Sequence, residues 1–358
     1  MVNIHTIVLA AGEGSRMKSN RAKSLQRIGG RTMLEMICQT AGSLSEKITL
    51  IVGFDKDSII ENTNTLGLDI STCEQPKPKG TGDAVMCGID EVKNESKVLV
   101  LYGDVPLIQK ETLINLIDSC EDGLSILTTV LKEPYGYGRV KKDENGNALS
   151  IVEERDATQD EKEIKEIFTG VLCANAEDLK KGLSEIGNDN AAGEFYLTDI
   201  VSIMANKGIK INTHIASNNE VKGANSKEEL AQLEAIYRSM KVKDILDMGI
   251  TVSDPDRLDI RGQVEAGKDC SIDVNVIIYG DVKLGDNVSI GPNCIIKDTL
   301  IESNTKIEAF SHIDKAHIGE SCVIGPYARL REGSKIESSA KVGNFVETKN
   351  SVLGEGSK

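Results

Sequence analysis

The run IHTIVLAAGEGSRM, residues 4–17, begins apolar and then turns through two glycines. Ile4 to Leu9 reads as a buried strand, with Gly12 and Gly14 in the turn at its carboxyl end. Arg16, Lys18, Arg21, Lys23, Arg27 and Arg31 follow, with no acid between residues 16 and 31. A Walker loop needs Gly-Lys-Ser/Thr four residues after its first glycine, and none is present. A dinucleotide fingerprint needs a third glycine where Met17 stands, which speaks against a dehydrogenase. Glycines let backbone N–H groups approach phosphate oxygens, and arginine and lysine neutralise them. The loop therefore reads as the holder of a phosphate chain. The competing reading is a solvated basic helix face, and the position directly after a strand argues against it.

Outward from the loop, KITLIVGF (47–54), KVLVLYGD (97–104) and GLSILTTVL (123–131) read as further strands. TMLEMICQTAGSL (32–44) and KETLINLIDSCE (110–121) have helical spacing. This alternation predicts an α/β domain with a Rossmann-like, mostly parallel sheet and helices on both faces. Ligands of such sheets bind beyond the carboxyl ends of the strands, where the glycine loop and YGD both lie.

The pattern changes near residue 250. Residues 227–248 lack Gly and Pro, and Leu230, Leu233, Ile236 and Met240 recur at helical spacing, with Gly249 after them. They predict a linker helix over 227–249 between a first domain, 1–226, and a second, 250–358. In the second, Ile272, Ile278, Leu284, Ile290 and Ile296 recur every six residues. Val276, Val282, Val288, Cys294 and Leu300 form a parallel row. After a slip of one residue come Ile301, Ile307 and Ile313, and after another Ile318, Ile324, Leu330, Ile336 and Val342. Such hexads predict a left-handed parallel β-helix with the aliphatics stacked inward, one coil on the next.

The totals narrow the class. A formal net charge of -14 excludes a general nucleic-acid binder, so an anionic ligand needs a local cationic patch. With no Trp and five Phe, the core must be aliphatic. The eight cysteines form no C-x-x-C pair and read as reduced, buried thiols. No secretory leader and no span-length apolar run are read, so the expected location is cytoplasmic, without membrane insertion.

LAAGEGSRMKSNRAK (9–23) resembles the L-A-A-G-x-G-T-R-M…P-K signature of the sugar-1-phosphate nucleotidyltransferases. PKGTGDAV (78–85), LYGDVPL (101–107), YGYGRV (135–140) with IVEERDAT (151–158), and GEFYLTDI (193–200) with VKGANSKEEL (221–230) narrow the resemblance. With the linker helix and the hexads, the whole chain is similar in register to the bifunctional members of that family. Those join an N-acetylglucosamine-1-phosphate uridylyltransferase to a glucosamine-1-phosphate acetyltransferase with a hexapeptide-repeat domain.

The resemblance implies that UTP and N-acetylglucosamine 1-phosphate give UDP-N-acetylglucosamine, a cell-wall precursor, and pyrophosphate. It implies Arg16 and Lys23 as catalytic cations, and Asp104 and Asn225 as Mg2+ ligands. Leu9, Ala10, Ala11, Gly12, Gln75, Gly80, Thr81, Tyr102 and Gly103 would bind the nucleotide. Gly138, Glu153, Phe168, Thr169 and Asn225 would line the sugar side. Because the sugar phosphate is already an anion, no general base is required. This suits a chain whose four histidines fall in none of these motifs.

Two departures stand out. Ala22 replaces the family's proline before the lysine, which frees one φ angle. Phe168 stands where the family has a sugar-contacting asparagine, a polar contact that phenylalanine cannot make. In the second domain the resemblance implies a homotrimer, and it places Arg331 and Lys349 on an amino-sugar phosphate. The family's histidine base and its acetyl-CoA contacts come beyond LGEGSK, so the expectation is that this shortened chain does not itself transfer acetyl groups. The rival readings are a nucleotidyltransferase for another sugar 1-phosphate, a nucleotide-binding trimeric scaffold, and a hexapeptide acyltransferase with a vestigial first domain.

Overall fold

A computed structural model describes residues 3–120 and 123–358. The chain divides into two compact units, one running to Leu233 and the other Glu234–Lys358. The division falls inside a single helix, Lys227–Asp247, close to the expected linker span.

The first unit is built on a nine-stranded sheet. Ile4–Leu9 is an interior strand, parallel to Lys47–Val52 on one side and Lys97–Tyr102 on the other. Ile7 and Val8 are both wholly buried because helices cover both faces. Ile7, Val98 and Val100 enter one apolar cluster, and Val8, Leu99 and Leu101 the other. The chain first runs outward through Lys47–Val52 to Ile70–Glu74, then crosses back to Lys97–Tyr102. The direction of winding therefore reverses between Ile4–Leu9 and Lys97–Tyr102, which makes the gap beyond Leu9 and Tyr102 the natural ligand crevice.

Beyond this parallel part, Glu166–Asn175 is inserted antiparallel between Lys97–Tyr102 and Gly123–Val130. Its register shifts between Phe168 and Leu172. A hairpin of Arg139–Lys142 and Ala148–Val152 joins its edge. The helix read over 32–44 spans Met33–Gly42. A capping box starts it: the Glu35 amide donates to Thr32 Oγ1 at 3.0 Å, and the Thr32 amide to Glu35 Oε2 at 2.8 Å. The helix read over 110–121 spans Lys110–Ser119, and Glu121 lies outside the described residues.

The second unit is a parallel β-helix. Ile272, Ile290, Ile307, Ile324 and Val342 stack on one face through consecutive pairings. Ile260, Ile278, Ile296, Ile313 and Leu330 stack on a second, and Leu284, Ile301, Ile318 and Ile336 on a third. The slips in the hexads are visible as shorter coils: Ile278 pairs with Ile296, but Leu284 pairs with Ile301. The slip also corrects one inward position. Leu300 is 40% exposed, and Thr299, at 2%, continues the small inward row instead. One residue has been lost from the turn, so the next aliphatic must advance by one to stay aligned.

All eight cysteines are free thiols, six of them buried. No described helix is long and apolar enough to cross a membrane. Ile307→Ala, at the middle of the first stack, should lower the stability of the β-helix by about 2–5 kcal/mol, because its neighbours above and below cannot close the cavity. A fall in the denaturant midpoint of the far-UV dichroism is the measurement.

Candidate active site

A cavity of about 260 Å3 opens at the switch point. Leu9 to Gly12 form one wall, Tyr102 and Asp104 a second, and Gln75, Pro78, Gly80, Thr81 and Ala84 a third. Lys23, Ser24 and Glu194 complete the lining.

The backbone sets these walls. The Ala10 amide donates to Ile51 O at 2.9 Å, which carries the sheet ladder one residue beyond the strand. The Gly103 amide donates to Leu9 O at 2.9 Å and ties YGD to the glycine loop. Gly80 opens the helix Thr81–Ile89 at φ 111, a conformation other residues rarely adopt, and a Cβ there would meet Phe195 O at 2.5 Å. Gly14, at φ 68, bends the loop so that Lys23 packs against it; an added Cβ would stand 2.7 Å from Lys23 Cβ.

Lys23 is the convergence point. Its Nζ lies 2.5 Å from Asp104 Oδ2 and donates to Asn225 Oδ1 at 3.0 Å. The Asn225 amide donates to Glu229 Oε2 at 2.5 Å, in the first turn of the long helix. The Ala22 amide donates to Asp55 Oδ2 at 3.0 Å, so a proline at 22 would remove a hydrogen bond that this loop makes. No group of three or more His, Cys, Asp or Glu side chains able to hold a metal exists among the described residues. Asp104 and Asn225 nevertheless offer two hard oxygens that meet at one cation. Such a donor set fits a hard divalent ion completed by phosphate and water oxygens.

On the third wall, Gln75 Nε2 donates to Gly80 O at 3.1 Å and to Asp83 Oδ2 at 2.7 Å. Burial raises the pKa of the Tyr102 phenol, which hydrogen-bonds Thr81; Asp104 and Glu153 add to the rise. It stays a neutral hydroxyl.

The sugar-side expectations form a separate cluster. Glu153 Oε1 accepts from Thr198 Oγ1 at 3.1 Å, and a Cβ on Gly138 would stand 3.5 Å from the same oxygen. Burial raises the Glu153 pKa above the usual carboxylate value of 4.5, and Asp199, Asp156 and Glu194 push the same way. Arg139, buried, pins the loop before it, with Nη2 2.6 Å from Glu154 Oε2 and Nη1 on Tyr137 O. Phe168 is 5% exposed and packs into the apolar cluster with Val140, Ala148 and Ile151. Thr169 Oγ1 donates to Leu127 O at 2.8 Å.

Of the residues singled out from sequence, Leu9 to Gly12, Lys23, Gln75, Gly80, Thr81, Tyr102 and Asp104 meet at the cavity, with Asn225 joined through Lys23. Arg16 stands exposed on the short turn Ser15–Met17, outside the lining, and Gly103 lies behind it. Gly138, Glu153, Phe168 and Thr169 also lie outside the lining. Ser24, Pro78, Ala84 and Glu194 were missed, although Pro78 and Ala84 flank the Gly80–Thr81 turn and could have been found by adjacency. In the second unit Leu330 pairs with Thr348, so Arg331 and Lys349 follow them at matching positions of adjacent coils. Arg331 Nη1 donates to Glu347 Oε1 at 2.8 Å, and Lys349 is exposed.

Residues 6–140 match the MobA-like NTP transferase domain family, and residues 260–358 the GMPPB C-terminal domain family. The bifunctional protein GlmU of Methylococcus capsulatus is 44% identical over 362 residues, which cover 100% of this chain and 78% of the relative. The chain belongs to the GlmU family. The GlmU proteins of Francisella philomiragia and Idiomarina loihiensis are 43% and 42% identical, again over 100% of this chain and 79% and 78% of theirs. A solved Bacillus anthracis structure described as a glucose-1-phosphate thymidylyltransferase shares the fold. It has a TM-score of 0.54 at 19% identity over 65% of this chain and 94% of that one. As a GlmU-family member, the chain is a nucleotidyltransferase of UDP-N-acetylglucosamine synthesis.

Because Glu153 carries a raised pKa, its stabilising contribution is present below pH 4.5 and is lost as the pH rises through the folded value. Glu153→Gln should therefore raise the melting temperature at pH 7.5. That gain should vanish as the pH falls through 4.5, as followed by thermal melts across pH.

Proposed function

We propose that the first unit transfers a uridylyl group from UTP to N-acetylglucosamine 1-phosphate with Mg2+. The observation that carries this reading is the convergence of Lys23, Asp104 and Asn225 beside a switch-point cavity that Gln75 and Gly80 also line. The spacing suits a nucleoside triphosphate with its base against Gln75 and its phosphates at Lys23.

A sugar-phosphate oxygen attacks the α-phosphorus of UTP. The bond from the α-phosphorus to the bridging oxygen breaks, and pyrophosphate leaves with the electron pair. The attacking oxygen is already anionic, so no side chain has to remove a proton. Catalysis is alignment and charge neutralisation. The amides of Ala11 and Gly12 approach the phosphates. Lys23 moves from its carboxylate partner to a phosphate oxygen, and Arg16, on the same loop, supplies a second cation as charge develops on pyrophosphate. When bound by Asp104 and Asn225, Mg2+ supplies positive charge to the phosphate oxygens. Glu153, Gly138 and Thr169 face the sugar in this reading. In the second unit, Arg331 and Lys349 hold the phosphate of an amino-sugar phosphate, and the β-helix is the contact between copies in a trimer.

A second reading is favoured by one observation. Phe168 fills apolar space where a polar sugar contact is expected, so another sugar 1-phosphate is the alternative substrate. Pyrophosphate release over a panel of sugar 1-phosphates, with UTP and Mg2+, separates the two. Preference for N-acetylglucosamine 1-phosphate is expected, and preference for a different sugar would replace it. Asp104→Ala should lower turnover by about a thousandfold or more while leaving the assembly state seen by light scattering unchanged. Unaltered turnover would remove Asp104 from the site.

A further inference from the structure

We propose that Asp83 sets the base preference of this site by fixing which end of the Gln75 amide faces the nucleotide. The inference rests on the proposed placement of the base against Gln75.

The terminal amide of Gln75 has an NH2 group that only donates and an oxygen that only accepts. It could fit its density of neighbours in either orientation, and the two would read opposite bases. Here the choice is forced. One neighbour is the Gly80 carbonyl, 3.1 Å away, and the other is the Asp83 carboxylate, 2.7 Å away. Both are acceptors, so both must face the NH2 group. Reversal would set Oε1 against two oxygens, one of them charged. Asp83 is itself held in the first turn of the helix Thr81–Ile89, where the helix dipole favours a negative charge. Gln75 is anchored from behind, its backbone N–H donating to Val52 O at 2.8 Å, and it is 7% exposed. It therefore has little room to move, and a flip of the amide is its main freedom.

With both NH2 hydrogens used, Oε1 is left without a partner among the described residues, on a side chain that lines the cavity. An acceptor facing N3 of the base selects a pyrimidine that carries a proton there. Uracil has that proton. Cytosine has a lone pair there, and an acceptor facing an acceptor leaves both unsatisfied, which is the strongest form of rejection a small pocket can make. Asp83 touches no substrate in this scheme. It acts through Gln75 and is a positioning residue.

The test is the ratio of UTP to CTP affinity, measured by calorimetric titration of the full chain with Mg2+ and no sugar phosphate. The wild-type chain should favour UTP by about a hundredfold or more. Asp83→Asn is close in shape and can donate as well as accept, so it no longer forbids the reversed amide. Gly80 O still resists reversal, so the ratio should narrow by about tenfold rather than disappear, chiefly through weaker UTP binding. Asp83→Ser, which removes the charge in a smaller side chain, is run beside it, with melting curves for both. A loss of stability alone would weaken both nucleotides together and leave the ratio unmoved. An unchanged ratio in the folded variants would overturn the role of Asp83. Equal wild-type affinity for UTP and CTP would overturn the orientation of Gln75. The wider reading fails separately: selective UTP binding without pyrophosphate release on any sugar 1-phosphate would reject the transferase assignment and leave the Asp83 assignment standing.

Discussion

An ammonium held by two oxygens organises the first unit. Lys23 comes from the glycine loop, Asp104 from the end of a central strand, and Asn225 from the approach to the long helix. Residues 23 and 225 lie at nearly opposite ends of the unit's chain, so this one contact ties its beginning to its end. The side chains of Lys23 and Asp104 are only 20% and 14% exposed, so their attraction is screened less than that of a surface pair. The same contact holds three polar groups from distant parts of the chain within reach of one another. The arrangement keeps a cation beside a carboxylate in a strongly acidic protein; in the proposed reaction a phosphate chain has only to draw the lysine from one oxygen to another.

That contact depends in turn on the order of the strands. Leu9 and Tyr102 are paired neighbours at the carboxyl edge of the sheet, and the chain winds away from them in opposite directions. The loops after the two strands therefore supply two of the cavity's walls. The glycine loop reaches the cavity because it leaves the sheet there, and Asp104 stands two residues beyond Tyr102 for the same reason. Gln75 follows Ile70–Glu74, the second parallel strand on one side, and Gly80 precedes the helix after it, so they close the cavity from that side.

Much of this was legible in the sequence because it depends on local pattern. Strand runs, the glycine loop and the cationic stretch carry their meaning within a few residues. The hexads do so more strongly, since every aliphatic answers one a coil away. What was not legible depends on non-local contact. Glu166–Asn175 is not among the strands read from the sequence, and nothing in it announces that it runs antiparallel between two others. Arg16 and Lys23 look equivalent as cations near a glycine turn, yet only Lys23 lines the cavity, because the short turn after Gly14 carries Arg16 outward. Leu300 looked like an inward residue because a slip can be placed on either side of it. Only the pairing of Leu284 with Ile301 decides the matter. Phe168 could be seen as a departure, while the apolar pocket that receives it is assembled from the hairpin strands and had no sequence mark.

The shortened coils bear on how such a chain tolerates change. In the sheet of the first unit, deleting one residue from a strand would turn every later side chain to the opposite face. In the β-helix the missing residue is absorbed at a corner, and the next stack resumes with Ile301 above Leu284 as if nothing had been removed. Each corner thus acts as a buffer between neighbouring faces, and an error in length does not spread past it. The second unit can absorb at its corners small length changes that the strands of the first cannot, and its natural unit of gain or loss is a complete turn of the chain.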